Sequence, residues 1–303
     1  VFPGQGSQAV GMGKALADQF EVCARTFAEA DAALNESLCE LILAGPADRL
    51  TLTENTQPAI LTMSIAVCRL LEEKGIRPAF VAGHSLGEYS AHVAAGTFSF
   101  ADAVRLVRNR GRYMQQATPV GSGAMAAILG LDEAGVNQAC AEAAQGEVVS
   151  AANLNGAGQI VIAGTTASVA RASERAKALG AKRALPLPVS APFHCALMKP
   201  AEDRLAPELR AVSAHTPRVP VIANVDAEPK RAAHESIEAL IRQVSSPVRW
   251  EDVVRRLASE GVTRYVEVGP GKALSGMIKR IVSGATIYNV EGPDDLAAIE
   301  ALS

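Results

Sequence analysis

Residues 78–96 read PAFVAGHSLGEYSAHVAAG. The apolar run PAFVA reads as a strand, and LGEYSAHVAA reads as a helix that stops at Gly96. Between them lies G-x-S-x-G, with Gly83, Ser85 and Gly87 at its fixed positions. Strand, tight turn and helix is the context a nucleophile elbow demands. Glycines let the chain turn sharply and push the serine hydroxyl outward, and the helix N-terminus aims free N–H groups at any negative charge that develops there. Ser85 is therefore the candidate nucleophile.

The rest of the chain is read outward from that turn. Apolar runs alternate with helical periodicity through most of the sequence, which suggests a mainly parallel sheet covered by helices. VPVIANV (219–225) and TRYVEVG (263–269) fit as further strands of this main sheet. The middle differs. GAMAAILGL, DEAGVNQACAEAA, EVVSAANL, GQIVIAG, TTASVARASERAKALG and AKRALPLPV follow one another as β-α-β-β-α-β, the ferredoxin-like order. The two central strands join through Asn155-Gly156. The expectation is a large discontinuous α/β domain, 1–119 and 191–303, interrupted by a small ferredoxin-like (βαββαβ) domain, 120–190, with a ligand in the cleft between them.

The 303 residues are enough to bury a sizeable core. Net charge is −3, with 49% hydrophobic and 20% charged residues, so no basic field argues for nucleic acid. The five cysteines are scattered with no C-x-x-C, which argues against zinc and for a reducing compartment. The longest charge-free stretch, 113–131, is too broken by Gln, Pro and Gly for a membrane span. The chain opens on VFPGQG without a charged leader or a methionine; a few leading residues are expected before it, and the expected location is cytoplasmic.

A serine needs a base. His84 adjoins Ser85 and points elsewhere, His92 lies two turns along the helix, and His215 and His234 sit in polar segments. His194, in VSAPFHCALMKPA, stands where a strand ends, Pro192 breaks the chain and a helix begins. Such junctions line the ligand side of an α/β sheet, which makes His194 the best candidate base. In the helix FADAVRLVRNRGRYMQQA (100–117), started by a Ser99/Asp102 capping pair, Arg110 shares the inward stripe of Ala103, Leu106, Val107 and Met114. Arg105, Arg108 and Arg112 read as a solvated face. An inward guanidinium needs an anion, either an internal carboxylate or a substrate carboxylate held by two parallel N–H···O bonds. GQGSQA (4–9) is a weak dinucleotide match, better read as a loop whose N–H groups face the site.

Seven segments together resemble the malonyl-CoA:acyl carrier protein transacylases of fatty-acid synthesis and the related acyltransferase domains of polyketide synthases: FPGQGSQ (2–8), TQPAI (56–60), GHSLGEYSA (83–91), RNRGRYMQQA (108–117), LPLPVSAPFHCALMKPA (185–201), RQVSSPVRW (242–250) and EVGPGKAL (267–274). The resemblance spans essentially the whole chain. It implies an α/β-hydrolase-like large domain and ping-pong transfer of malonyl from malonyl-CoA to acyl carrier protein, with Ser85 as nucleophile and His194 as base. By resemblance, the backbone N–H groups of Gln5 and Leu86 form the oxyanion hole, Arg110 grips the substrate carboxylate, and the Gln243 carbonyl orients the histidine. Gln57, Asn155 and Arg183 map to substrate or CoA contacts, although Asn155 equally suits a hairpin turn and Arg183 a solvated strand charge. Phe193 resembles the bulky residue that crowds a methyl branch in malonyl-specific members. No permanent cofactor, no metal and a monomer are expected. The competing readings are a polyketide-pathway acyltransferase, a serine hydrolase (thioesterase- or lipase-like), which would ordinarily complete a Ser-Asp/Glu-His triad, and a non-catalytic carrier-binding module.

Overall fold

The computed structural model describes residues 1–189 and 191–300, so Ser190 of the segment before His194, and 301–303 of the large domain, lie outside the described residues. Five helices precede the elbow: α1 (Lys14–Gln19), α2 (Glu21–Leu34), α3 (Leu38–Ala44), α4 (Ala47–Thr51) and α5 (Thr53–Glu73). The expected alternation of strand and helix therefore fails over 14–73, where the described residues hold no strand. α5 explains why. It is buried along nearly its whole length, polar residues included, so it needs partners on every side, and α2, α6 (Leu86–Ala94) and α7 (Phe100–Gln116) pack around it.

The strand before the elbow is β1 (Val81–Ala82). Beyond α7 come β2 (Gly123–Leu129), α8 (Glu133–Ala144), β3 (Val149–Leu154), β4 (Gln159–Thr165), α9 (Thr166–Ala178) and β5 (Arg183–Pro186). These strands form one sheet in the order β3-β4-β2-β5, every pair antiparallel. Asp132 caps α8 and Thr165 caps α9, each accepting an N–H from the first turn. Both helices pack on the sheet over a separate apolar cluster that includes Ile128, Val136, Ile160, Ile162 and Val169.

The chain then forms α10 (Lys199–Ala211), β6 (Val221–Ile222), β7 (Pro229–Lys230), α11 (Ala233–Gln243), α12 (Trp250–Ser259), β8 (Arg264–Val268), α13 (Ala273–Ile281), β9 (Thr286–Val290) and α14 (Leu296–Glu300). β1 pairs with β6 and β8 with β9, both parallel, while β7 runs antiparallel to β6. Residues 1–2 join the two groups: Phe2 bridges Gly83 in parallel, and Val268 N–H donates to Val1 O at 2.9 Å. Residues 1–2, β1 and β6 run parallel and hand the chain to loops at the same sheet edge, where the 4–8 loop, the elbow and Asn224 lie together.

Candidate active site

Ser85 caps α6 with φ 52° and ψ −105°. For a residue with a Cβ this backbone is strained. The two motif glycines are not left-handed; they are there for closeness. A Cβ on Gly83 would sit 2.0 Å from Gly87 C and O, and one on Gly87 would sit 2.1 Å from Phe2 O. The elbow is thus a three-layer backbone contact with its strain placed on the serine. Leu86, the first residue of α6, has no intrahelical acceptor for its N–H. Gln5 lies in the exposed loop after Phe2, its side chain donating to Thr53 Oγ1 at 3.2 Å. Gly4 of that loop approaches the elbow so closely that a Cβ there would lie 2.5 Å from His84 O.

His194 is also left-handed (φ 59°) and only 3% exposed. Its Nε2 lies 2.6 Å from Ser85 Oγ, and its Nδ1 lies 3.0 Å from Gln243 O. A main-chain carbonyl only accepts, so Nδ1 carries the proton and Nε2 offers its lone pair to the serine. Burial, and then the Arg110 charge, push His194 down to about 3. The imidazole is therefore neutral and ready to accept a proton.

Arg110 is 1% exposed. Nη1 donates to Gln57 Oε1 at 2.7 Å, Nη2 to Gln243 Oε1 at 2.8 Å, and Nη2 also to Ser85 Oγ at 3.2 Å. The guanidinium carbon stands 5.4 Å from the Tyr89 ring centroid. No carboxylate hydrogen-bonds to it among the described residues; neutral amide oxygens hold it instead, and Nε is buried without a partner. Gln57 thus fixes the arginine, its Nε2 facing Met114 Sδ at 3.8 Å.

Asn155 is both turn and tether. Its N–H donates to Gln159 O across the β3–β4 connection, and its Oδ1 accepts from His84 Nε2 at 2.9 Å. Arg183 is exposed at the start of β5. Phe193 is buried beside His194. The reading of Arg108 as solvated is corrected. It is 5% exposed, its guanidinium donating to Glu36, Asn55 and the Glu54 carbonyl. Helical periodicity could not show that another layer covers this second face.

Two residues behind the serine escaped the sequence reading. Asn224, at the end of β6, accepts the Ser85 N–H at 2.8 Å and donates to Gly83 O at 2.8 Å. Glu88 accepts from Asn224 N–H at 3.0 Å and from Gln243 Nε2 at 2.9 Å, while that same Nε2 donates to Ser85 O at 2.8 Å. The only available signal was position: Asn224 at a strand's carboxyl end, Glu88 one turn after the nucleophile.

The acyl transferase domain family model matches residues 1–289. The chain belongs to the acyl transferase domain family. This acyltransferase is 53% identical over 299 residues to the malonyl CoA-acyl carrier protein transacylase of Escherichia coli (strain K12), covering 98% of this chain and 97% of that protein. It is 51% identical over 304 residues to the Bacillus subtilis (strain 168) protein of the same name, covering 100% and 96%. Among solved structures, the acyl carrier protein S-malonyltransferase of Vibrio cholerae superposes with a TM-score of 0.97 at 50% identity, covering 98% of each chain. A malonyl-transacylase solved in complex with its type II polyketide acyl-carrier protein gives 0.97 at 47% identity, covering 100% of this chain and 98% of that one.

Proposed function

We propose that this acyltransferase moves malonyl from malonyl-CoA to the phosphopantetheine thiol of an acyl carrier protein, supplying fatty-acid synthesis through a malonyl-serine intermediate. The observation that carries this reading is Ser85 Oγ set between a neutral His194 Nε2 at 2.6 Å and Arg110 Nη2 at 3.2 Å.

In the first half-reaction Oγ attacks the thioester carbon and its proton passes to Nε2. The carbonyl oxygen becomes an oxyanion held by the N–H groups of Leu86 and Gln5. Its collapse breaks the C–S bond, and the CoA thiolate leaves with the proton from His194. In the second half the carrier thiol gives its proton to Nε2 and its sulfur attacks the ester; the Ser85 alkoxide leaves and is reprotonated. Each step exchanges an acyl group and a proton, so the chemistry calls for no resident cofactor. Arg110 anchors the malonyl carboxylate, pre-positioned by Gln57 and Gln243. The Gln243 carbonyl takes the place an acid has in a hydrolase triad. Phe193 narrows the space beside the malonyl α-carbon. The reading places the protein in the cytoplasm, in keeping with the lack, among the described residues, of any helix long and apolar enough to cross a membrane. Residues 120–190 are the ferredoxin-like insertion in an α/β-hydrolase-like domain, a division supported by the β3-β4-β2-β5 order and its separate apolar cluster.

The test is incubation with malonyl-CoA followed by intact-protein mass spectrometry. A malonyl adduct is expected on the enzyme and none on Ser85→Ala, with CoA release depending on added carrier protein. An adduct on Ser85→Ala, or rapid CoA release into water alone, would overturn the reading.

A further inference from the structure

The helix that starts at Ser85 carries a carboxylate that the transfer steps do not use. Glu88 is 0% exposed. Its Oε2 accepts from Asn224 N–H and Gln243 Nε2, and its Oε1 is buried with no hydrogen-bond partner. The other end of the Gln243 amide accepts from Arg110 Nη2. One amide therefore stands between a buried cation and a buried anion, its oxygen toward the cation and its N–H toward the anion. The other charged and titratable groups around Glu88 are few. Tyr89 on the same helix is held protonated by burial, and His92, one turn beyond Glu88, and His194 are held neutral. Asp226, after β6, bonds Lys230 at 2.8 Å and Arg242 at 3.2 Å. Burial dominates and lifts Glu88 to about 7, against the hydrogen bonds from Gln243 and Asn224; the Asp226 charge adds to the rise and Arg110 opposes it.

We propose that Glu88 is coupled to substrate recognition by a proton: when the malonyl carboxylate engages Arg110, Glu88 takes up a proton from solvent on Oε1, and it releases that proton when the carboxylate leaves. The inference rests on reading Arg110 as the carboxylate anchor. Without substrate, Arg110 and Glu88 balance. The arriving carboxylate adds a second anion to a cluster that burial has already desolvated, and an unbalanced buried charge is costly. Protonating Glu88 restores neutrality. Oε1 is the available seat, because a proton there leaves both acceptor bonds on Oε2 in place. Only an O–H bond forms. The sign follows from linkage. Above about pH 7 the free enzyme holds Glu88 ionised, so malonyl binding must draw a proton and weakens by up to roughly tenfold per pH unit. Below that midpoint binding is flat, and a ligand without the carboxylate shows no such dependence.

The experiment titrates Ser85→Ala, which cannot turn over, with malonyl-CoA and with CoA in buffers of different ionisation enthalpy, about one pH unit above the Glu88 midpoint. Uptake approaching one proton is expected with malonyl-CoA beyond that seen with CoA. It should vanish when Glu88→Gln, which can keep both acceptor bonds, is added. Uptake that persists in Glu88→Gln, or none in the Glu88 enzyme while malonyl-CoA binds, overturns the proposal. If the double variant does not fold, infrared difference spectra of Ser85→Ala decide: a protonated-carboxyl band must appear on adding malonyl-CoA, and its absence overturns the proposal. Failure of the anchor reading would show separately, as Arg110→Ala binding malonyl-CoA as tightly as its parent.

Discussion

Arg110→Ala separates recognition of the acyl group from the chemistry performed on it. The guanidinium is held by Gln57 at 2.7 Å and Gln243 at 2.8 Å before any substrate arrives, so its grip costs little ordering when substrate binds. Hydrogen bonds to charged groups contribute about 1.5–3 kcal/mol each. A two-bond clamp on a carboxylate is then about 3–6 kcal/mol, a loss of roughly 10²–10⁴-fold in kcat/KM for malonyl-CoA. Acetyl-CoA is the internal control. It lacks the carboxylate and shares only the 3.2 Å bond from Nη2 to Ser85 Oγ, so its kcat/KM should change by less than about tenfold, the scale of one ordinary hydrogen bond. The assay is single-turnover acylation of Ser85 followed by mass spectrometry with each thioester. A malonyl-to-acetyl ratio that stays within about threefold of the parent enzyme would refute the reasoning.

Two further outcomes test the geometry. A general base works only when deprotonated, and His194 is lowered to about 3. Acylation should therefore hold its rate as pH falls through 6.5 to about 5, and a midpoint near the ordinary histidine value in the pH profile of kcat/KM would contradict the buried, neutral imidazole. Gly87→Ala would place a Cβ 2.1 Å from Phe2 O. Neither backbone can yield cheaply, so a loss of about 3 kcal/mol or more is expected, read from the urea midpoint; an unchanged midpoint would disprove the close approach.

The elbow was legible in residues 78–96 because its strand, turn and helix are local. Even so, the glycines proved to serve backbone contact, while Ser85 carries the left-handed angle itself. Arg110 could be picked out because a helix announces its inward stripe. Arg108 could not, because Glu36 and Asn55, which cover it, come from elsewhere in the chain. Glu88 and Asn224 were out of reach for the same reason: their bonds to each other and to Gln243 close loops of 136 and 155 residues. Local periodicity likewise gave the β2-to-β5 segment element by element, yet it missed α5 in the helical run 14–73, where burial on nearly all sides erases the polar face that marks an ordinary surface helix.

The end of β3 bears on protein engineering. Asn153 bridges Val248 in parallel, Leu154 N–H donates to Val248 O at 2.8 Å, and Val248 N–H donates to Ala152 O at 2.9 Å. Val248 lies five residues after Gln243, whose carbonyl aims His194. Asn155, one residue further on, holds the neighbour of the nucleophile. A chimera that imports residues 120–190 from a relative with another acyl preference would thus graft a new hinge directly onto the catalytic pair. Such a swap should carry residues 243–250 and His84 with the insert, so that the seam falls in tolerant surface rather than in the alignment of serine and base.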